Sequence, residues 1–224
     1  MKTTARAVGS GAVGLVVFGA LLFAPARTFA YWQGWAFLAV FTVSTWVPTI
    51  YLLRTNPAAL QRRMRAGPRA ETRPVQKAVM VVSFSSLAAM IAFSALDHRF
   101  GWSPVPATVS LVGDALVVVG IGGAMLVIVQ NSYAAATVTV EAGQALASTG
   151  LYAIVRHPMY AADIVMMIGI PLALGSYWGL LFVVPGIVGL VVRMLDEERL
   201  LTADLAGYRE YTQRVRYRLL PHVW

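Results

Sequence analysis

Apolar residues run along this chain in six blocks separated by short polar stretches, at about 8–24, 31–53, 75–96, 105–130, 159–174 and 176–195. A helix that crosses a membrane needs about 20 residues at a rise of about 1.5 Å each. The second, third, fourth and sixth blocks meet that length. The first and fifth are short, so they would be tilted or re-entrant. The pattern predicts an all-α fold: a polytopic membrane helix bundle of about six transmembrane helices, with a cytoplasmic C-terminal helix and tail.

Composition sharpens this picture. Of the 224 residues, 58% are hydrophobic and only 12% are charged, against about 25% charged in soluble domains. A length of 224 residues suits a single membrane domain with no separate soluble part. With no cysteine, disulfides, thiolate nucleophiles and Cys-ligated zinc are excluded. The net charge of +8 would point to nucleic acid in a soluble protein. Here the basic residues sit beside apolar blocks, where they serve orientation and contact with membrane lipids, so no nucleic-acid partner is expected.

Of the 18 Lys and Arg residues, only Arg27 and Arg99 lie on one side of the predicted bundle and 16 on the other. By the positive-inside rule the basic side is cytoplasmic, which puts both termini there. In a bacterium this would be the inner (plasma) membrane. Lys2 and Arg6 precede an apolar run ending in Ala24-Pro25-Ala26 and Thr28-Phe29-Ala30, a pattern close to a cleavable signal peptide. The expectation is a retained first helix.

Local punctuation fills in the rest. Asn56 as N-cap, Pro57 at the first helical position and a stop at Gly67-Pro68 predict a short interfacial helix with Leu60 and Met64 on one face. Gly175 can end one helix in the left-handed conformation, and Ser176 can cap the next. Pro171 and Pro185 are expected to bend the last two apolar helices. From Asp196 onward the chain turns amphipathic, with Leu200, Leu201, Leu205 and Tyr208 among charged residues. This predicts a cytoplasmic helix over the mouth of the bundle.

Two stretches carry candidate chemistry. In Arg156-His157-Pro158, proline at a helix start makes His157 the N-cap and leaves two cationic or donor side chains at the positive end of the helix, a cluster suited to a carboxylate or phosphate. Tyr160 lies one turn on, and Tyr152 just upstream. A snorkelling arginine with a surface histidine is the plain alternative. In the second stretch, Arg193 and Glu197 share a helix face, with Glu198 turned about 100° away. An ordinary surface pair is the bland reading, but a charge still emerging from lipid at Arg193 needs a partner or a polar cavity. Two acids fall inside apolar blocks as functional candidates: Asp163, three residues after Tyr160, is a candidate for the same pocket, whereas Asp114 lies toward the other side.

Several of these residues recur together in a known pattern. Gly150-x-Tyr152-x3-Arg156-His157-Pro158-x-Tyr160, then Gly175-Ser176, then Arg193-x3-Glu197-Glu198-x2-Leu201, then Tyr208-x2-Tyr211-x3-Val215-x2-Arg218-Leu-x-Pro221 resembles the isoprenylcysteine carboxyl methyltransferase family of integral membrane enzymes. The likeness covers residues 130–224; residues 1–100 carry no identifiable motif. It implies methyl transfer from S-adenosyl-L-methionine bound at the cytoplasmic end. The implied cofactor-binding residues are Gln144, Ala145, Leu146, Tyr152, Arg156, His157, Pro158, Tyr160, Glu197 and Glu198. Arg193 would face the acceptor, and Arg193 and Glu197 are the implied catalytic pair. Gln144 departs from a histidine in the family's Gly-His-x-Leu-Val stretch, a change that backbone contacts from Ala145 and Leu146 would tolerate.

The implied acceptor is a lipophilic small molecule or lipid entering from the bilayer, first of all a carboxylate as in prenylcysteine. An anionic acceptor attacks a sulfonium methyl with positioning and exclusion of water, and needs neither a strong base nor a metal. Methylation of a phospholipid amine is the close alternative and would require a proton acceptor such as Glu197 or Asp163. NADPH-dependent reduction of a sterol is another, because sterol reductases have a similar Arg-His-Pro-x-Tyr segment. Here Ala161-Ala162 replaces their glycine step. A small transporter or assembly subunit is the non-enzymatic alternative.

Overall fold

A computed structural model describes residues 2–134, 136–141 and 143–224, apart from the Lys2 side chain. Among the described residues the chain forms eight α-helices and no strand: α1 (Lys2–Ala26), α2 (Trp32–Thr55), α3 (Pro57–Met64), α4 (Pro74–Phe100), α5 (Ala107–Gln130), α6 (Pro158–Ala173), α7 (Val183–Asp204) and α8 (Tyr208–Arg214). Short 3-10 turns at Gly150–Ala153 and Trp178–Phe182 lead into α6 and α7. Five of the described stretches are long and apolar enough to cross a membrane, whereas α6, with 16 residues, is shorter. At about 1.5 Å per residue, α6 covers about 24 Å of the roughly 30 Å hydrocarbon layer.

Large apolar side chains point outward along the bundle: Val16 and Val47 are exposed, as are Val119 and Val184 on other helices. A soluble protein rarely presents such a surface, and lipid removes its cost. The inner core gathers Leu22, Phe37, Ile91, Val117, Ile170 and Leu174 from the long helices and the end of α6. The tightest pair is α5 with α6. A methyl group at Gly113 would overlap the Ala173 backbone, and one at Gly120 would press on Met166. Small residues at these crossings let two helix backbones meet, as membrane packing without a hydrophobic drive requires.

Several local expectations hold. Asn56 Oδ1 accepts from Ala59 N at 3.1 Å, with Pro57 opening α3, and Leu60 and Met64 pack against Leu52, Ile128 and Met159. The helix stops at Met64, short of the expected Gly67-Pro68. Gly175 takes a left-handed φ of 68°, and Ser176 Oγ accepts from Gly179 N at 2.9 Å. Three expectations are corrected. The first helix begins at Lys2 rather than near residue 8, and the last long helix continues to Asp204 without a break at Asp196, so Leu200 and Leu201 lie in its own final turns while Tyr208 opens the separate α8. Pro185 lies in the first turn of α7, where its missing N–H costs nothing, so it does not interrupt the helix.

Candidate active site at one end of the bundle

The first residues of α6 face the last turns of α7. His157 occupies the N-cap position, but its ring does not cap the helix. Its Nε2 instead lies 3.1 Å from Glu198 Oε1, and Arg156 Nη1 meets the same oxygen at 2.9 Å. Glu198 Oε2 accepts from Arg218 Nε at 3.0 Å. The anion-seeking cluster expected from Arg156-His157-Pro158 is thus filled by the protein's own carboxylate. The C-terminal segment is sewn to the same place: Arg156 N donates to Tyr217 O and His157 N to Arg218 O, each at 2.9 Å.

Glu197 faces the other way. Tyr160, stacked on His157, donates its hydroxyl to Glu197 Oε2 in a very short contact. One turn back on α7, Arg193 is buried and surrounded. Its Nη1 donates to Glu71 Oε1 and to Gln76 Oε1, both at 2.8 Å, and its Nη2 to Ala136 O at 2.7 Å. Glu71 stands just before α4, and its second oxygen accepts from Val138 N at 3.2 Å. Gln76 passes the network on to Asp196 Oδ2 at 2.7 Å, which Arg73 also binds.

Arg156, His157, Tyr160, Arg193 and Glu197 border a cavity of about 280 Å³, near the lower end of small-molecule sites at about 300–1,000 Å³. Of the residues expected at a site, Gln144, Ala145, Leu146, Tyr152, Arg156, His157, Pro158, Tyr160, Arg193 and Glu197 all border it, as does Asp163. Glu198 does not, because its carboxylate is turned into the cluster of Arg156, His157 and Arg218. Asp114 lies elsewhere, with its Oδ1 buried and without a partner among the described residues. Gln144 Oε1 accepts from Glu141 N at 3.1 Å.

Further contacts complete the walls. Asn131 donates to the Tyr152 hydroxyl at 3.1 Å, and the Tyr211 hydroxyl donates to Tyr152 O at 2.7 Å. Leu146, Leu201 and Leu205 pack with Tyr208 and Tyr211 into an apolar flank. The Tyr208 hydroxyl is buried in this wall with no partner among the described residues, as is Arg156 Nε. Burial, reinforced by Glu198 and Glu197, pushes the Tyr208 phenol far above its ordinary value, so it stays a hydrogen-bond donor. Burial likewise raises Tyr152, with Glu197 adding to the effect against the Asn131 hydrogen bond. Leu146, the amphipathic Leu201 and Leu205, and the Tyr208-x2-Tyr211 spacing were the sequence signals for this wall; for Glu71 and Gln76 there was none.

The family model of the phospholipid methyltransferases matches residues 108–205. That span runs from α5 through the last turn of α7 and includes both polar stretches of the site, though it is less than half of the chain. No curated protein matches the chain. The phospholipid methyltransferase match supports a membrane S-adenosylmethionine-dependent methyltransferase. It does not single out the isoprenylcysteine enzymes that the motif pattern resembles.

The cavity has features such a cofactor needs. Glu197 supplies negative charge for a cationic ligand, the flank of Leu146, Leu201 and Leu205 supplies an apolar surface, and the Tyr208 hydroxyl is a donor still lacking an acceptor among the described residues. A buried polar atom without a partner costs about 1–3 kcal/mol, which a bound ligand can recover.

Proposed function

We propose that the chain methylates a lipophilic acceptor, using S-adenosylmethionine held in the cavity between the 144–147 stretch, the start of α6 and the end of α7. The observation that carries this reading is the juxtaposition of the Arg156-His157-Pro158 segment, Tyr160 and Glu197 around one cavity bordered by Gln144, Ala145 and Leu146. When bound, the cofactor supplies an activated methyl group. Tyr160 fixes the Glu197 carboxylate toward the cavity, and Glu198 holds Arg156 and His157 in place from behind. Tyr152 and Tyr208 contribute hydroxyls to the wall. Leu200, Leu201 and Leu205 keep water away from the reacting centre.

The charge balance favours an amine acceptor carried by a lipid. Arg193, the group that would grip an acidic acceptor, already has Glu71 as counter-ion. Asp163 borders the cavity, within reach of an acceptor held there. It would take the proton that an ammonium must lose before its nitrogen can attack. The phospholipid methyltransferase match points the same way. A carboxylate acceptor of the prenylcysteine type is the second reading, favoured by the presence of Arg193 in the same wall.

Methyl transfer from labelled S-adenosylmethionine to an aminophospholipid, a prenylated cysteine and a fatty acid, measured in reconstituted membranes, tests both. The expected product is the methylated amine, abolished by Asp163→Asn. Label on the carboxylates alone would reverse the choice of acceptor, and label on none would remove the methyltransferase reading.

A further inference from the structure

The part of the chain ahead of the family match holds Arg193 of the site through Glu71 and Gln76. Glu71 lies in the polar stretch between α3 and α4, among arginines that look like a solvated surface, yet it is only 2% exposed. Its Oε1 meets Arg193 Nη1 at 2.8 Å and its Oε2 accepts from Val138 N at 3.2 Å. Arg193 in turn donates to Ala136 O. One buried ion pair therefore joins the 136–138 stretch of the cavity wall to α7.

We propose that Glu71 is a positioning residue that acts electrostatically, neutralising Arg193 and stapling the 136–138 wall, so that a cationic cofactor is admitted beside a buried guanidinium. This rests on the reading of the cavity as an S-adenosylmethionine site. S-adenosylmethionine carries one net positive charge and S-adenosylhomocysteine none. An uncompensated Arg193 would repel the first and leave the second largely unaffected, since Coulomb repulsion acts strongly in a site screened from water. A merely structural carboxylate would change both affinities together. The arrangement also accounts for the side chain's burial: a lone arginine in that place would be costly, and a lone glutamate equally so.

The test uses the full-length protein purified in detergent, comparing wild type, Glu71→Gln and the double variant Glu71→Gln with Arg193→Gln. Affinities for S-adenosylmethionine and S-adenosylhomocysteine are measured, together with hydrogen exchange at the amides of residues 136–141 without ligand. Glu71→Gln is expected to weaken S-adenosylmethionine by about tenfold relative to S-adenosylhomocysteine, and to speed exchange at Val138. The double variant is expected to return the affinity ratio to the wild-type value. An unchanged ratio in Glu71→Gln overturns the proposal. If that variant does not fold, the double variant decides, because removing both charges should restore folding; a double variant that is equally unfolded overturns the pairing. Wild-type protein that binds neither ligand defeats the cofactor reading instead, and exchange at Val138 still reports whether Glu71 holds the wall.

Discussion

At the end of the bundle away from the cavity, Asp97 is buried and finds its partners close by. Ser103 gives it a backbone amide at 2.7 Å and a hydroxyl at 2.5 Å, and Ser176 adds a hydroxyl at 2.5 Å. Next to it the Tyr31 ring stacks on His98 while its hydroxyl donates to Leu174 O. At the cavity end, Arg193 is tied to Glu71, Gln76 and Ala136, and Glu198 to Arg156, His157 and Arg218. Both ends bury charge, but the first closes turns with neutral donors, whereas the second sets full charges against one another around open space. Neutral donors around one acid are enough to fasten a turn. Opposed charges bordering a cavity leave a surface whose field a ligand can sense.

Arg193 is where the two ends can be set apart most forcefully. Arg193→Ala strands Glu71 as a buried unpaired charge, with an expected loss of about 3–5 kcal/mol, read as a lower denaturation midpoint, together with loss of turnover. Asp97→Ala, at the other end, leaves two hydroxyls and an amide without their acceptor. It should cost about 1–3 kcal/mol while leaving affinity for S-adenosylhomocysteine within about twofold of wild type, if the two ends work independently.

A finer contrast comes from Tyr208→Phe. Its hydroxyl has no partner among the described residues, so removing it should leave thermal stability unchanged or raised. Affinity for S-adenosylhomocysteine should fall about 3- to 10-fold, as for one lost hydrogen bond of about 1 kcal/mol. Smallest is Glu141→Gln, which releases the half-exposed clip to Arg62 at 2.8 Å and should cost about 0–1 kcal/mol. Hydrogen bonding to Arg62 holds the Glu141 carboxyl below its ordinary value. The clip's contribution is therefore present above the ordinary glutamate range and lost as the pH falls through the depressed value. Proteolysis near Glu141, followed against pH, reads this directly.

The same contrast explains what the sequence disclosed. Local signals were legible: Asn56-Pro57 opens α3, Gly175-Ser176 closes α6 and starts the next turn, and His157-Pro158 begins α6, because each depends on neighbours within a few residues. The cavity's main walls were legible through Tyr152, Tyr160 and Glu197, which stand beside the helix start at Pro158 and in the last turns of α7. The fate of Glu198 was not, since its adjacency to Glu197 says nothing of Arg218, which arrives from the C-terminal segment to help consume it. Glu71 was hidden more deeply. It sits in an arginine-rich stretch that reads as lipid contact, and its partner lies 122 residues away. The continuation of α7 past Asp196 escaped because that acid is paired by Arg73 and Gln76, so charge there does not end the helix.

Everything turns on where the cofactor sits. Irradiation of the purified protein with labelled S-adenosylmethionine, followed by peptide mapping, should place the label within residues 144–160 or 190–211. Competition by unlabelled S-adenosylhomocysteine should remove it, and Glu197→Gln should weaken it. Label confined to peptides around Asp97 and Ser103, or label that S-adenosylhomocysteine fails to displace, would contradict a cofactor site between α6 and α7.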